Sequence, residues 1–477
     1  MSKTAGRPPR KNGVPESKST LALVSLIILV QLGLRSHTVD STHSATMGAD
    51  VRRQTQESLP QLHRRLAEDA AAASLMSGGV NVGVNNQLFH PVDEVKVLGP
   101  TAFPKPTDIV LGKILVPHLQ PVLGKHRPDQ DAVLAFAAEY ELRRYVLFIE
   151  TLRNTGFTGD IVLSVSELDL QNTEIRAYLS SDPGVVVYAP KFACFNFEKE
   201  EVESMKGGIR ICQCHQLWAV QETDGTTTPI PDPRPPRTVA TTRYEIYWIM
   251  AINYNKDRWF LLVDSRDTIF QSNPFANVPR HTDLSGESGV LYYFGENVEA
   301  TRLGQSKQNS KWLTNAYGKT VAEVLSDKPT ICSGASMGEQ IALEAYMRAM
   351  VAESDETGTV LMGADQGFHN FLFYSHKLGN AKQIHDIVVF DQGSGIVNNM
   401  GAMRTKPLAS WGNGQIVRTE EMSGQTHYRV LNWDGALSPV VHQYDRHKEL
   451  SNYFYKQIAD DLMGKVKQRL QTNAATN

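Results

Sequence analysis

From about residue 130 the chain alternates short apolar runs with segments of helical period. Residues 132–138, AVLAFAA, read as a buried strand, and 141–157 as a helix with Gly156 as its stop signal. Residues 160–166 read as a second strand, 173–181 as a helix and 184–190 as a third strand. After an interruption, 241–254 reads as a helix and WFLLVD, 259–264, as a fourth strand. Strands alternating with helices predict a parallel sheet with helices on its faces. Near the C-terminus, Leu450, Phe454, Ile458, Leu462 and Val466 share one face of a packing helix predicted over 449–470.

The interruption at 192–240 reads as an insertion. It holds Cys194, Cys212 and Cys214 and the stretch TDGTTTPIPDPRPPR, whose prolines predict no regular structure. Cys212-Gln-Cys214 lacks the spacing of a zinc knuckle and no second pair follows. In an oxidising compartment Cys194 could pair with Cys212 or Cys214, a choice the spacing leaves open.

The N-terminal pattern differs. Residues 1–18 carry five basic side chains and one acid, and the run from Leu21 to Leu34 is apolar but for Ser25, Gln31 and Gly33. This predicts a cytoplasmic tail over 1–18 and a signal-anchor helix over 19–35. A cleaved signal peptide is the rival reading, although no small-x-small site follows Leu34. Residues 36–105, rich in Ser, Thr, Ala, Gly and charge, read as a stem or linker, and 106–477 as the folded domain. No Asn-x-Ser/Thr sequon and no internal repeat are present.

Composition narrows the functional classes. An apolar fraction of 41% supports a large core, and 48 basic against 51 acidic residues offer no field for nucleic acid. Chemistry must come from particular residues. Asp264 and Asp267 follow the fourth predicted strand, where open α/β sheets bind ligands, and read either as a polar turn or as ligands for a hard cation. Ser333-Gly334, in TICSGASMG, reads as a tight turn or as a place where a ligand approaches the backbone. Asp365 and Gln366 begin a predicted helix that Asp365 would cap, with Asn370 one turn on. His442 follows two valines at a predicted strand end, as a structural histidine or as a third ligand.

In this order the motifs VDSRDTIFQSNPF, Ser-Gly, DQGFHN and VVHQYDR resemble the GT-A glycosyltransferases, most closely the glycogenin-like and galactinol-synthase-like retaining enzymes of family 8, over residues 130–446. The resemblance implies a GT-A Rossmann-like mixed sheet with helices on both faces. It implies Mn²⁺ or Mg²⁺ on Asp264, Asp267 and His442, and Asp365 and Gln366 as catalytic residues near the anomeric carbon. It places Ser333, Gly334, Asn370 and Arg243 on the donor, Tyr140 against the nucleotide base, and Asp264 or Arg266 on ribose or phosphate. The expected partners are a nucleotide-sugar donor, a glycan or protein acceptor and a membrane, with no nucleic acid. The expected location is the Golgi membrane, single-pass type II, with the catalytic domain luminal. One departure stands out: two residues, Ser265 and Arg266, separate the acids where the family has one. The rival functions are a nucleotidyltransferase, for which no glycine-rich phosphate loop follows the first strand, and a non-catalytic glycan-binding or scaffold protein.

Overall fold

The sheet is built around a change of direction in its strand order. In this computed structural model, residues 88–476 are described, apart from 106–108, 111–112, 197–200, 203–210, 279–285, 412–415 and 423–424. The elements that frame the site are, in chain order, β1 (Ala132–Phe136), α1 (Leu142–Asn154), β2 (Asp160–Ser164), α2 (Thr173–Ser180), β3 (Val185–Tyr188), α3 (Val239–Ala251), β4 (Trp259–Val263), β5 (Thr268–Phe270) and β6 (Gly289–Gly295). They continue with α4 (Lys307–Val324), β7 (Ile331–Glu339), α5 (Gln340–Thr357), α6 (Ala364–Tyr374), β8 (Ile384–Phe390), β9 (Val397–Asn399), β10 (Val440–His442) and α7 (Ala459–Thr476).

The main sheet has seven strands in the order β8-β6-β7-β4-β1-β2-β3. Strands β4, β1, β2 and β3 run parallel, as the alternation predicts, but β7 runs antiparallel to both β4 and β6. The sheet is therefore mixed. Residues 330–338, within which Ser333-Gly334 reads as a tight turn or a place of close ligand approach, form most of β7. Their small side chains suit a central strand: a β-carbon on Gly338 would stand 2.5 Å from the carbonyl of Val290. From β1 the chain steps outward through β2 and β3, then returns to place β4 on the other side of β1. The crevice between β1 and β4 is the switch point where doubly wound sheets admit ligands.

β1 and β4 bury nearly all their side chains, which explains why they read as unbroken apolar runs. A second, three-stranded sheet, β5-β10-β9, begins directly after β4 and carries His442 at the end of β10.

The insertion is more ordered than its prolines predict. Lys191–Phe195 pairs with Ile211–His215, and Cys194 and Cys212 stand opposite one another and form a disulfide. Cys214 and Cys332 are buried and unbridged. Thr227–Pro229 pairs with Trp218–Gln221 at a sheet edge, the position where a strand accommodates proline. The insertion is fastened to α3 through Glu245, which accepts from Trp218 Nε1 at 2.6 Å and pairs with Arg234 and Arg237.

The C-terminal helix shows the predicted face with a phase change. Leu450, Phe454, Leu462 and Val466 are buried, but a π-helical stretch, Asn452–Ile458, turns Ala459 inward in place of Ile458. Residues 88–104, assigned above to the linker, pack on the fold: Phe89, Val92 and Phe103 are buried, and Val92 N donates to the carbonyl of Tyr374 at 2.8 Å.

Among the described residues, no helix is long and apolar enough to cross a membrane. This overturns the expected single-pass Golgi placement. Residues 19–35, on which the anchor helix is expected, lie outside the described residues.

Candidate active site

Asp264 is the first residue after β4, and the chain turns at once into β5. Thr268 Oγ1 donates to the carbonyl of Asp264 at 2.6 Å, Asp264 N to that of Gly334 at 2.9 Å, and Ser265 Oγ to that of Phe136 at 2.8 Å. These bonds close a turn over residues 264–268. In such a turn positions three apart lie on one side, as in a helix, whereas in an extended strand the same side recurs every two. The two-residue spacer therefore brings the carboxylates together.

His442 completes the group. Its register partner on β5 is Thr268, the residue after Asp267. Its Nε2 lies 3.9 Å from Asp264 Oδ2 and 3.8 Å from Asp267 Oδ1, and ligand atoms of all three residues lie within 4.8 Å of one another. His442 is fully buried, and its Nε2 has no hydrogen-bond partner. A buried, unpartnered nitrogen facing two carboxylates fits a cation ligand. Gly334 clears the space: a β-carbon there would stand 2.6 Å from His442 Cε1, 2.9 Å from Asp264 Oδ2 and 3.0 Å from His442 Nε2.

The two acids differ electrostatically. Burial pushes Asp264 upward, but Arg243, then His442, outweigh it and hold the carboxyl below its usual range. Burial raises Asp267, and although His442 opposes the shift, Asp264 and Asp445 add to it. Arg446 Nη2 lies 3.4 Å from Asp267 Oδ2, and Arg266 Nη2 lies 3.4 Å from Asp445 Oδ2.

A cavity of about 400 Å³ opens over this group, at the C-terminal ends of β1 and β4. Phe136, Ala138, Glu139 and Tyr140 line it after β1, Asp264 to Asp267 after β4, and Gln443 and Arg446 after β10. Val239, Ala240 and Arg243 bring in the first turns of α3, whose N-terminus favours anions, and Met362 forms part of the rim. The loop after β1 is held by Asp169, which accepts from Glu139 N at 2.7 Å and Tyr140 N at 3.1 Å. Burial, reinforced by Asp264, raises the Tyr140 phenol to about 12, so it enters the cavity neutral.

Arg243 is buried between two acids. Nη1 pairs with Asp264 Oδ1, and Nη2 lies 3.0 Å from Asp365 Oδ2. Asp365 Oδ2 also accepts from Ser333 Oγ at 2.9 Å, and burial raises the carboxyl. Asp365 does not cap α6: Gly363 is the N-cap, in the left-handed region at φ 83°, and Asp365 sits in the first turn.

Gln366 and Asn370 are placed otherwise than expected. Gln366 Oε1 accepts from Ser333 N at 2.7 Å, and its Nε2 donates to the carbonyl of Ile331 at 2.7 Å. Asn370, fully buried one turn later, accepts from Ile331 N at 2.9 Å and donates to the carbonyls of Ile331 and Gln366, each at 2.8 Å. Both amides are spent on holding α6 to the backbone of β7, and neither lines the cavity. The sequence reading overlooked Glu139, Gln443, Arg446 and Asn399. The spacing of Arg446 four residues after His442 was the available signal.

No family model and no curated protein matches this chain. Glycosyltransferases are among the solved structures that align with it. The galactosyltransferase LgtC, in complex with donor and acceptor sugar analogues, aligns at 10% identity over 70% of this chain and 95% of its own, with a TM-score of 0.35. GlyE of Streptococcus pneumoniae aligns at 12% over 72% of this chain and 64% of its own, with a TM-score of 0.33. At these identities and scores the alignments assign this chain no activity.

Proposed function

We propose that this chain is a metal-dependent glycosyltransferase that takes a sugar from a nucleotide-sugar donor and passes it, with retention of configuration, to a glycan or protein acceptor. The observation that carries the reading is the unpartnered Nε2 of buried His442 set against Asp264 and Asp267, beneath a cavity lined by Arg266 and Arg446. A lone pair and two acids repel one another unless a proton or cation lies between them. A divalent cation held by these three side chains, Mn²⁺ before Mg²⁺ because one ligand is a nitrogen, would supply Lewis-acid stabilisation to the departing diphosphate.

The chain's own residues do the rest. Arg266 and Arg446 line the cavity beside the N-terminus of α3 and would give a diphosphate its donors once a cation offsets Asp264 and Asp267. Tyr140 offers a neutral ring to the nucleotide base. Asp365, buried behind Arg243 and outside the cavity lining, with Oδ2 bound to Arg243 and Ser333, is assigned to offset the positive charge that develops at the anomeric carbon, as carboxylates do in glycoside hydrolysis. Gln366 acts at one remove, fixing Ser333 and the strand beneath the sugar.

The test is a thermal-shift screen of nucleotides and nucleotide sugars with and without Mn²⁺. A ligand at 100 times its Kd stabilises by about 2.7 kcal/mol. The reading expects one class of nucleotide diphosphate sugar to raise Tm, and only with the cation. No shift with any nucleotide sugar would remove it. A shift with a nucleoside triphosphate, accompanied by pyrophosphate release, would favour nucleotidyl transfer instead.

A further inference from the structure

We infer that Asn399 is the positioning residue that makes His442 a cation ligand, by fixing which ring nitrogen carries the proton. The inference rests on the metal reading above.

Asn399 ends β9, and its register partner on β10 is His442, so the two side chains stand beside one another. Asn399 is fully buried, and His442 Nδ1 lies 2.8 Å from its Oδ1. An amide can be turned either way, and here its other end decides. Nδ2 lies 3.1 Å from the carbonyl oxygens of Phe294 and Gly295, where β6 shifts register against β7. A carbonyl oxygen only accepts, so the NH₂ must face these two and Oδ1 must face the imidazole. Oδ1 also only accepts, so Nδ1 carries the proton. In the neutral imidazole Nε2 is then the lone pair, and it faces Asp264 and Asp267.

The remaining neighbour agrees. Cys332 Sγ lies 3.8 Å from Nδ1, where sulfur can accept weakly from the same N–H. The opposite tautomer would leave Nδ1 and Oδ1 as two acceptors at 2.8 Å and direct an N–H at the carboxylates, which would close the site to a cation. The two carbonyls of β6 thus set the amide, the amide sets the tautomer, and the tautomer supplies the ligand.

The test uses the whole chain in two measurements. Histidine-selective ¹⁵N NMR of the metal-free protein, with His442→Gln to assign the signal, reads the tautomer of His442. Water-proton relaxation reads Mn²⁺ affinity in wild type, Asn399→Ala and Asn399→Leu. The expected results are the Nδ1–H tautomer in wild type and Mn²⁺ binding weakened about 10- to 100-fold in both variants. A purely structural role for Asn399 would lower Tm without either signature. If the variants fail to fold, the wild-type tautomer decides alone. A wild type that binds no Mn²⁺ overturns the metal site and this inference with it. A wild type that binds Mn²⁺ through the Nε2–H tautomer, or a variant that binds as tightly as wild type, overturns this inference only.

Discussion

Gly334 lies against His442 so closely that one added β-carbon would stand 2.6 Å from the ring's Cε1. The same carbon would stand 2.9 Å from Asp264 Oδ2, inside the space the three ligands share. The φ of Gly334 is not in the left-handed region, so alanine meets no backbone strain there. Gly334→Ala should therefore abolish Mn²⁺ binding, read by relaxation or calorimetry. Overpacking of this kind costs roughly 1–3 kcal/mol, so circular dichroism should still report a folded chain. Undiminished Mn²⁺ affinity would show that the ion, if any, sits elsewhere.

Arg243 neutralises Asp264 and Asp365 together, and removing it leaves both acids without that partner. Breaking one side of a buried ion pair costs about 3–5 kcal/mol, although Asp264 is partly open to solvent and recovers some of this. Arg243→Ala should lower the urea midpoint, and Asp365→Asn added to it should restore part of the loss. Purely additive effects in that double-mutant cycle would deny the coupling.

Acid should destabilise the fold through its buried histidines. Burial lowers His126 to about 4, with Asp160 opposing, and burial lowers His369 to about 3. Their unfolded value is about 6.5, so below that pH the unfolded chain binds more protons and stability falls as pH drops towards 4 and 3. Glu296 acts in the opposite sense. Burial raises it to about 7, with Arg404 opposing, so its contribution is fully present below about 4.5 and is lost as pH rises through 7. Tm measured from pH 8 to pH 4 should fall on acidification, and His369→Phe should flatten the slope. An unchanged slope would mean that His369 is not held neutral.

The Cys194–Cys212 bridge joins strands of the insertion, with 18 residues of sequence separation. Closing a loop of about that length is worth roughly 3 kcal/mol in the chain-entropy account. The pair Cys194→Ser and Cys212→Ser should lose stability of that order while keeping Mn²⁺ affinity, since neither cysteine lines the cavity. Loss of Mn²⁺ affinity would tie the insertion to the site.

The alternation of strand and helix up to β4 was legible because those strands are buried on both faces and read as unbroken apolar runs. The direction of β7 was not, because ICSGASMGE carries no alternating period and strand direction leaves no mark on the side-chain pattern. Asp264, Asp267 and His442 could be chosen from the sequence, but the meaning of the Ser-Arg spacer lay in a turn that only backbone hydrogen bonds reveal. Gln366, expected near the anomeric carbon, and Asn370, expected on the donor, follow from the resemblance of DQGFHN to a family motif. Their hydrogen bonds go instead to the backbone of β7, a partner no side-chain pattern records. Asn399 gave no signal, since its importance comes from standing beside His442 across two strands 43 residues apart.

The central claim is that Asp264, Asp267 and His442 hold a divalent cation used in sugar transfer. Its most direct test is the release of nucleoside diphosphate from the donor that binds, measured with Mn²⁺ and with chelator, in wild type and Asp267→Ala. Wild type should turn over donor, chelator should abolish this and Mn²⁺ restore it, and Asp267→Ala should show none above background. Equal turnover in the two proteins, or turnover indifferent to chelator, would contradict it.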